Sequence, residues 1–260
     1  MKDRHKLNLF NSGEEHDTPF LNVQEVRDEV YSATELCITT LAMDFPAETT
    51  STSRRKLEDK WIELLPKLHL IKALSVRHKV NREFFEAICE MKNLEQLHFW
   101  TSNVEDISSI SKLQKLRRLD LDSFSRLTDI SPILALKNLQ LLSIENSFKV
   151  ENYILIGQMT ALKGLRLVGN ASAPKNLRLS SLKPFNKLKN LTHLDLSTLS
   201  VVDNSYEIIL ELDNLKRFDI TVIIPKAMRE LIKANHQKLT AGLFVDWDYD
   251  NQKLYAGKQW

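Results

Sequence analysis

Cysteine is nearly absent, with Cys37 and Cys89 the two present in 260 residues. That number cannot build a disulfide framework, and both thiols stand in apolar runs, which fits a reducing compartment. Glycine is almost as thin: the six, at 13, 157, 164, 169, 242 and 257, spell neither a GxGxxG nor a phosphate-cradling loop. No GxSxG or HExxH occurs, and the cysteines lack metal-ligand spacing. Long apolar runs are missing as well. The best candidates, LCITTLAM and YILIGQMTAL, are shorter than the roughly 18 residues of a membrane span. The opening MKDRHKLNLFNSGEEHD carries charge without the apolar core of a secretory signal. Charge of one sign is also lacking, since the net value is +2, so no bulk field favours nucleic acid or an acidic membrane. The expectation is a cytoplasmic protein that is no enzyme and needs no cofactor.

What the sequence has is a repeat. With 43% hydrophobic and 27% charged residues the chain is globular in composition. A six-residue opening recurs: IKALSV from Ile71, LEQLHF from Leu94, LRRLDL from Leu116 and LQLLSI from Leu139. LKGLRL follows from Leu162, LTHLDL from Leu191 and LKRFDI from Leu215. The steps between successive starts are nearly constant, apart from one longer step between Leu162 and Leu191. An imperfect copy, LTAGLFV, begins one further step on at Leu239. ATELCI from Ala33 reads as a degenerate first rung. Positions four and six of each unit share one face of a strand, because side chains alternate. Position one enters the same core from the preceding turn, and later apolar residues such as Ile130 and Leu136 close the coil. Each unit is then one turn of a solenoid whose strands pair in parallel, and no unit is stable alone.

The LxxLxL spacing, in seven in-register copies over about residues 71–245, resembles the leucine-rich repeat family. LTDISPILALKNL, residues 127–139, is similar to the short repeats of bacterial internalins, which are secreted surface proteins; this chain shows no such signal. The resemblance implies an α/β solenoid, with a curved parallel β-sheet on the concave face and helices and turns on the convex face. It also implies an asparagine at position nine. That column instead holds Lys79, Ser102, Phe124, Ser147, Asn170, Leu199 and Ile223, so the hydroxyls must substitute where they can and the turns are irregular. NREFFEAICEMKNL has Phe84, Phe85, Ile88 and Met91 at helical spacing with Asn81 as N-cap. PKAMRELIKANHQKL has Pro225 at a first turn and Met228, Leu231 and Ile232 on one face. SYEIILELDNL reads as helical, and the middle units as tighter turns.

Open solenoid ends need caps. Residues 1–70 are assigned a tail, the degenerate rung and a capping helix, RRKLEDKWIELL, with Leu57, Trp61 and Leu65 inward. Residues 71–245 are the repeats, and 246–260 a β-hairpin cap turning at Asp250-Asn251. DWDYDN (246–251) resembles a calcium loop but has Asn251 and Gly257 where that loop needs glycine and glutamate. EEHD (14–17) is a solvated tail.

The chemistry of a solenoid lies on its outward ladders. Position five holds Ser75, His98, Asp120, Ser143, Arg166, Asp195 and Asp219; position seven holds Arg77, Trp100, Asp122, Glu145, Val168, Ser197 and Thr221. Trp100 has no core to fill there, and exposed tryptophan is enriched at binding hot spots, although packing on Arg77 or His98 is the plain alternative. Asp120, Asp122 and Glu145 form an acidic cluster on neighbouring rungs, suited to a basic partner segment or offset by Arg118 and Arg166. His98 and His193, four rungs apart, are too distant to share a metal. The extra residues of NASAPKNLRLSSLKPF (170–185) bulge from one rung. The expected partner is another protein, bound at Arg77, His98, Trp100, Asp120, Asp122, Glu145, Arg166, Asp195 and Asp219, with no nucleic acid, membrane or metal. An immunity-type inhibitor occluding an enzyme, or an enzyme's regulatory subunit or scaffold, are the alternatives.

Overall fold

The computed structural model describes residues 21–23, 25–40, 49–170, 175–248 and 253–254. The EEHD segment, the Asp250-Asn251 turn and residues 171–174 of the insertion lie outside them. The described chain divides into a first compact unit, residues 21–139 with 144–152, and a second, residues 140–143 with 153–254.

In the first unit, strands β1 (Leu21–Val23), β2 (Glu35–Ile38), β3 (Ala73–Val80), β4 (Gln96–Ser102) and β5 (Arg118–Asp122) lie side by side in that order. All four pairings are parallel. Position four always faces position four: Leu36 pairs Leu74, Leu74 pairs Leu97, and Leu97 pairs Leu119. A slip by one residue would turn every leucine to the opposite face, so the repeat itself fixes the register. The degenerate copy from Ala33 thus forms a strand in the same register, and β1 adds a further one.

Outside the strands the chain takes the shapes its side chains favour. Helix α1 (Ser51–Leu64) starts at Thr50, whose side chain accepts from the Ser53 N–H, and it buries Trp61 completely. Helix α2 (Arg82–Cys89) is capped by Asn81, whose Oδ1 accepts from the Phe84 N–H at 2.9 Å. It buries Phe84, Phe85 and Ile88. Rings of Phe85, Phe99 and Phe124 follow one another at 5.6 Å spacings, so the phenylalanine in the expected asparagine column serves as core. Later units have 3-10 turns instead, at Ser108–Lys112 and Ser131–Ala135. Their entries are held by Asp106 and Asp129, which accept from the N–H groups of Ser108 and Ser131 at 2.8 and 2.7 Å. The Ser108 hydroxyl and N–H on Asp106, and the Ser131 N–H with the Asn152 amide on Asp129, favour the ionised form and lower both carboxyl pKa values.

Strand β6 (Leu141–Glu145) begins in the second unit and ends in the first. In the second unit β7 (Gly164–Val168) pairs in parallel with β9 (His193–Asp195), and β9 with β11 (Arg217–Asp219), again leucine on leucine at Leu165 and Leu194. The insertion builds β8 (Leu177–Leu179), which pairs in parallel with β10 (Leu199–Val201) as a small second sheet. Gly169 makes this possible, since a Cβ there would lie 2.5 Å from the Lys175 carbonyl oxygen and 2.8 Å from that of Thr198. Here SYEIILELDNL forms a 3-10 turn, Tyr206–Glu211. Helix α3 (Lys226–Asn235) buries Ile232, but Leu231 stays 45% exposed, so the expected apolar face is narrower than its pattern. A short helix α4 (Leu243–Asp246) leads to β12 (Trp247–Asp248) and β13 (Lys253–Leu254), which pair antiparallel.

Leu119, Leu121, Leu142, Ile144, Leu165, Leu167, Leu194 and Leu196 are all buried, as are Ile130 and Leu136. At position nine the fully buried Ser102 and Ser147 take the place of the missing amide. Ser102 Oγ donates to the Val80 carbonyl at 3.0 Å and accepts from the Val104 N–H at 3.0 Å. Ser147 Oγ accepts from the Phe124 N–H at 3.2 Å. Amides appear one residue before position one instead. Asn93 and Asn138 in the first unit donate to the carbonyls of His69 and Gln114 at 2.9 and 2.8 Å. Asn190 and Asn214 in the second do the same to Thr160 and Lys189 at 2.9 and 2.8 Å. The turns are more regular than expected at position eight as well, where Ser123, Asn146 and Thr198 take left-handed φ values of 54°, 52° and 57°.

Candidate partner-binding face

Strand alternation settles which side chains point outward. In the first unit Phe99 is buried and Trp100, one residue later, is 40% exposed. The pairing of β3 with β4 shifts beside it: Val76 pairs Phe99, but Lys79 pairs Thr101, so Arg77 and His78 together face Trp100. An extra residue in one strand is a β-bulge, which re-aims side chains. Here it turns His78 inward to 3% exposure, edge-on to the Phe84 ring at 4.9 Å. It leaves Arg77 outward, with its guanidinium carbon 4.3 Å from the centre of the Trp100 ring. A stacked cation of this kind stabilises by about 0.5–1 kcal/mol where exposed. Among the described residues Arg77 and Lys79 have no ion-pair partner, and both are exposed.

The neighbouring ladder positions are engaged to different degrees. His98 Nδ1 lies 3.3 Å from Ser75 Oγ, and its ring stands 6.1 Å from that of Trp100. Asp120 accepts from Arg118 Nε at 2.7 Å, a pairing of strand positions three and five. Asp122 accepts from the Ser123 hydroxyl at 2.8 Å. Asp120 is therefore neutralised by its own strand.

The second unit repeats this pairing and adds one between neighbouring strands. Arg166 Nε reaches Asp195 at 3.2 Å, and Arg217 grips Asp219 with two bonds of 2.6 and 3.1 Å. Asp219, expected outward and open, is 8% exposed and also accepts from the Leu243 N–H at 2.8 Å. Burial raises its pKa, with Arg217 opposing. Gly242, at φ 100°, brings α4 over it. Asp219 therefore ties the last strand to α4 rather than facing a partner. Ser143, Val168 and His193 are buried too, so His193 does not share an outward face.

Sequence reasoning set Trp100 and Arg77 on one ladder and named Arg118 as an offset for the acids, but missed the bulge, Lys79 and the Arg217–Asp219 pair. That pair had a visible signal, because residues two apart on a strand share a face; the bulge had none. Among the described residues no group of three or more His, Cys, Asp or Glu is placed to hold a metal, and no helix is long and apolar enough to cross a membrane.

No family model and no curated protein matches this chain. Solved structures do. An internalin (inlF) from Listeria monocytogenes superposes with a TM-score of 0.51 at 19% identity, over 85% of this chain and 66% of that one. An internalin C2 from the same organism gives 0.44 at 20% identity, over 61% and 67%. The Arabidopsis receptor kinase HAESA, solved with the peptide hormone IDA and the co-receptor SERK1, gives 0.46 at 18%, over 65% and 30%. The first of these establishes the fold, a leucine-rich-repeat solenoid, and this chain spans about two thirds of that protein's length.

Proposed function

We propose that the chain is a non-enzymatic protein-binding module that docks another protein on the outward strand face of its first unit. The observation that carries the reading is Trp100, an indole 40% exposed on a strand whose inward neighbours are fully buried. The core beneath is already filled by Phe85, Phe99 and Phe124, so folding alone gives no reason for a tryptophan there. Indole and guanidinium are among the groups most enriched at binding hot spots, and Arg77 holds the ring in place before any partner arrives. A rigid, pre-formed strand face limits the ordering cost of association. Asp122 and Glu145 suit basic groups of the partner. Cys37 and Cys89 are buried and form no disulfide, which fits a reducing setting.

Affinity capture from the native cell, with Trp100→Ala and the control Glu105→Lys beside the parent, tests the reading. Trp100→Ala is expected to weaken the captured partner by about 2 kcal/mol, near 30-fold in Kd, while keeping the parent's melting behaviour. Glu105→Lys should bind as the parent does. A folded Trp100→Ala that binds with unchanged affinity would remove the face from consideration.

A further inference from the structure

We infer that the first unit has a second docking surface, on the flank that leads into its strands, which takes an acidic protein segment carrying one apolar side chain. The net charge of +2 hides a local separation. Between two residues before position one and position two, the rungs starting at Ile71, Leu94, Leu116 and Leu139 carry Lys72, Lys92, Lys115, Arg117 and Lys137 against Glu95 alone. All five cations are exposed and belong to the first unit. Lys72 pairs with Glu95 at 3.5 Å. The other four have no ion-pair partner among the described residues. Lys92 and Lys137 stand two rungs apart, about 10 Å, with Lys115 and Arg117 on the rung between. That is close to one Debye length, so the four repel one another and attract a common polyanion.

A cavity adjoins them. It measures ≈ 290 Å³, and its lining includes the apolar Pro66, Leu68 and Met91 together with Lys92 and Asn93. Asn93 Oδ1 accepts from Lys115 Nζ at 2.7 Å, so the cavity wall and the cations form one surface. An apolar cavity of about 150 Å³ already admits a benzene-sized group, so an aliphatic side chain fits here. These features also select the occupant. No Phe, Tyr or Trp stands at these positions, so a nucleic-acid strand finds no stacking platform. Amides of Asn93 and Asn138, held on backbone carbonyls, lie among the cations, and Leu70 is the exposed apolar group a bilayer could take in. A second copy would have to offer the opposite flank, beyond the other end of the strands. There Glu105 pairs with Arg126 at 3.1 Å, and Asp106 and Asp129 accept from the Ser108 and Ser131 N–H groups. A partner's acidic segment supplies both carboxylates and an apolar anchor. This flank is separate from the Trp100 face, since position two lies about 17 Å along the strand from position seven.

Fluorescence anisotropy of the full chain with a labelled decapeptide, glutamates around one leucine, tests this. The peptide is expected to bind, and to bind more weakly as salt rises. Lys92→Glu combined with Lys137→Glu should weaken it at least tenfold, and replacing the peptide leucine by serine at least threefold. Trp100→Ala should leave it unchanged. Both lysines are exposed, so the double variant should melt as the parent does; Lys92→Gln with Lys137→Gln, expected to lose at least threefold, serves if it does not fold. Absence of binding, or binding indifferent to both double variants, overturns the proposal. Equal affinity for the leucine and serine peptides overturns the apolar anchor. Loss of binding in Trp100→Ala places the peptide on the strand face and overturns the second surface. Tighter binding of phosphatidylcholine vesicles containing phosphatidylserine, or of a DNA duplex, lost in the same variants, overturns the acidic segment in favour of lipid or nucleic acid.

Discussion

The two units carry the same inward pattern and, apart from the Arg118–Asp120 and Arg217–Asp219 pairs they share, different outward ones. In the first, position seven holds a half-exposed tryptophan under an arginine that has no described ion pair. In the second, Arg166 meets Asp195, Arg217 meets Asp219, and Val168 is buried. The inward leucines are interchangeable because all of them answer to one requirement, removal from water. The outward residues answer to none that the repeat imposes, so each unit is free to be closed or left open. Self-paired charges are a folded surface at rest; an exposed indole beneath an unneutralised cation is a surface with binding capacity left over.

The largest test concerns what the units share. Leu119→Ala in the first and Leu194→Ala in the second each remove a buried position-four side chain. Both should cost about 2–5 kcal/mol in denaturant melts. A cost under about half a kcal/mol at either would show that the inward pattern is not common to the two.

The next test concerns what they do not share. Arg217→Ala leaves the buried Asp219 carboxylate without its bidentate partner and should cost about 3 kcal/mol. Arg77→Ala removes an exposed cation and a stacking contact, and should cost no more than about 1 kcal/mol. Equal costs in urea titration would erase the distinction between a closed and an open face.

A third test uses pH and belongs to the first unit alone. Burial without hydrogen-bond partners lowers the His78 pKa to about 4. The unfolded chain binds that proton near the ordinary value of about 6.5, so between these values the unfolded state holds more protons. Stability from this residue is complete above about pH 6.5 and is lost as pH falls toward 4, by up to about 3 kcal/mol. His78→Leu should flatten that part of the stability profile while changing little at neutral pH. An unchanged acid limb would show that His78 is not the group responsible. The smallest expected effect is that of Trp100→Ala on stability, within about 1 kcal/mol.

Much of the fold was legible because the repeat states it seven times. Asn81 was visible as a cap for its short amide before an apolar helical pattern, and Ser102 and Ser147 as hydroxyl substitutes for an amide. The strand built by the insertion was not visible, because LRL at 177–179 is too short to announce the partner it finds at Leu199–Val201. The narrow buried stripe of α3 was overstated by its sequence, since periodicity gives the spacing of apolar residues and not the width of the surface that receives them.

The sequence by itself determined the solenoid, its register and its inward residues. A near-constant period with leucines at positions one, four and six has one way to bury them all. Tertiary structure decided which outward groups remain open. Asp120 and Asp219 are spelled alike, each two positions after an arginine. Only Asp219 gains a further bond, from the Leu243 N–H of α4 packed over it. The bulge at Arg77 and His78 is likewise a property of two paired strands, since an extra residue exists only relative to a neighbour that lacks it. Charge and exposure on that face depend on contacts between rungs, and those contacts are long-range.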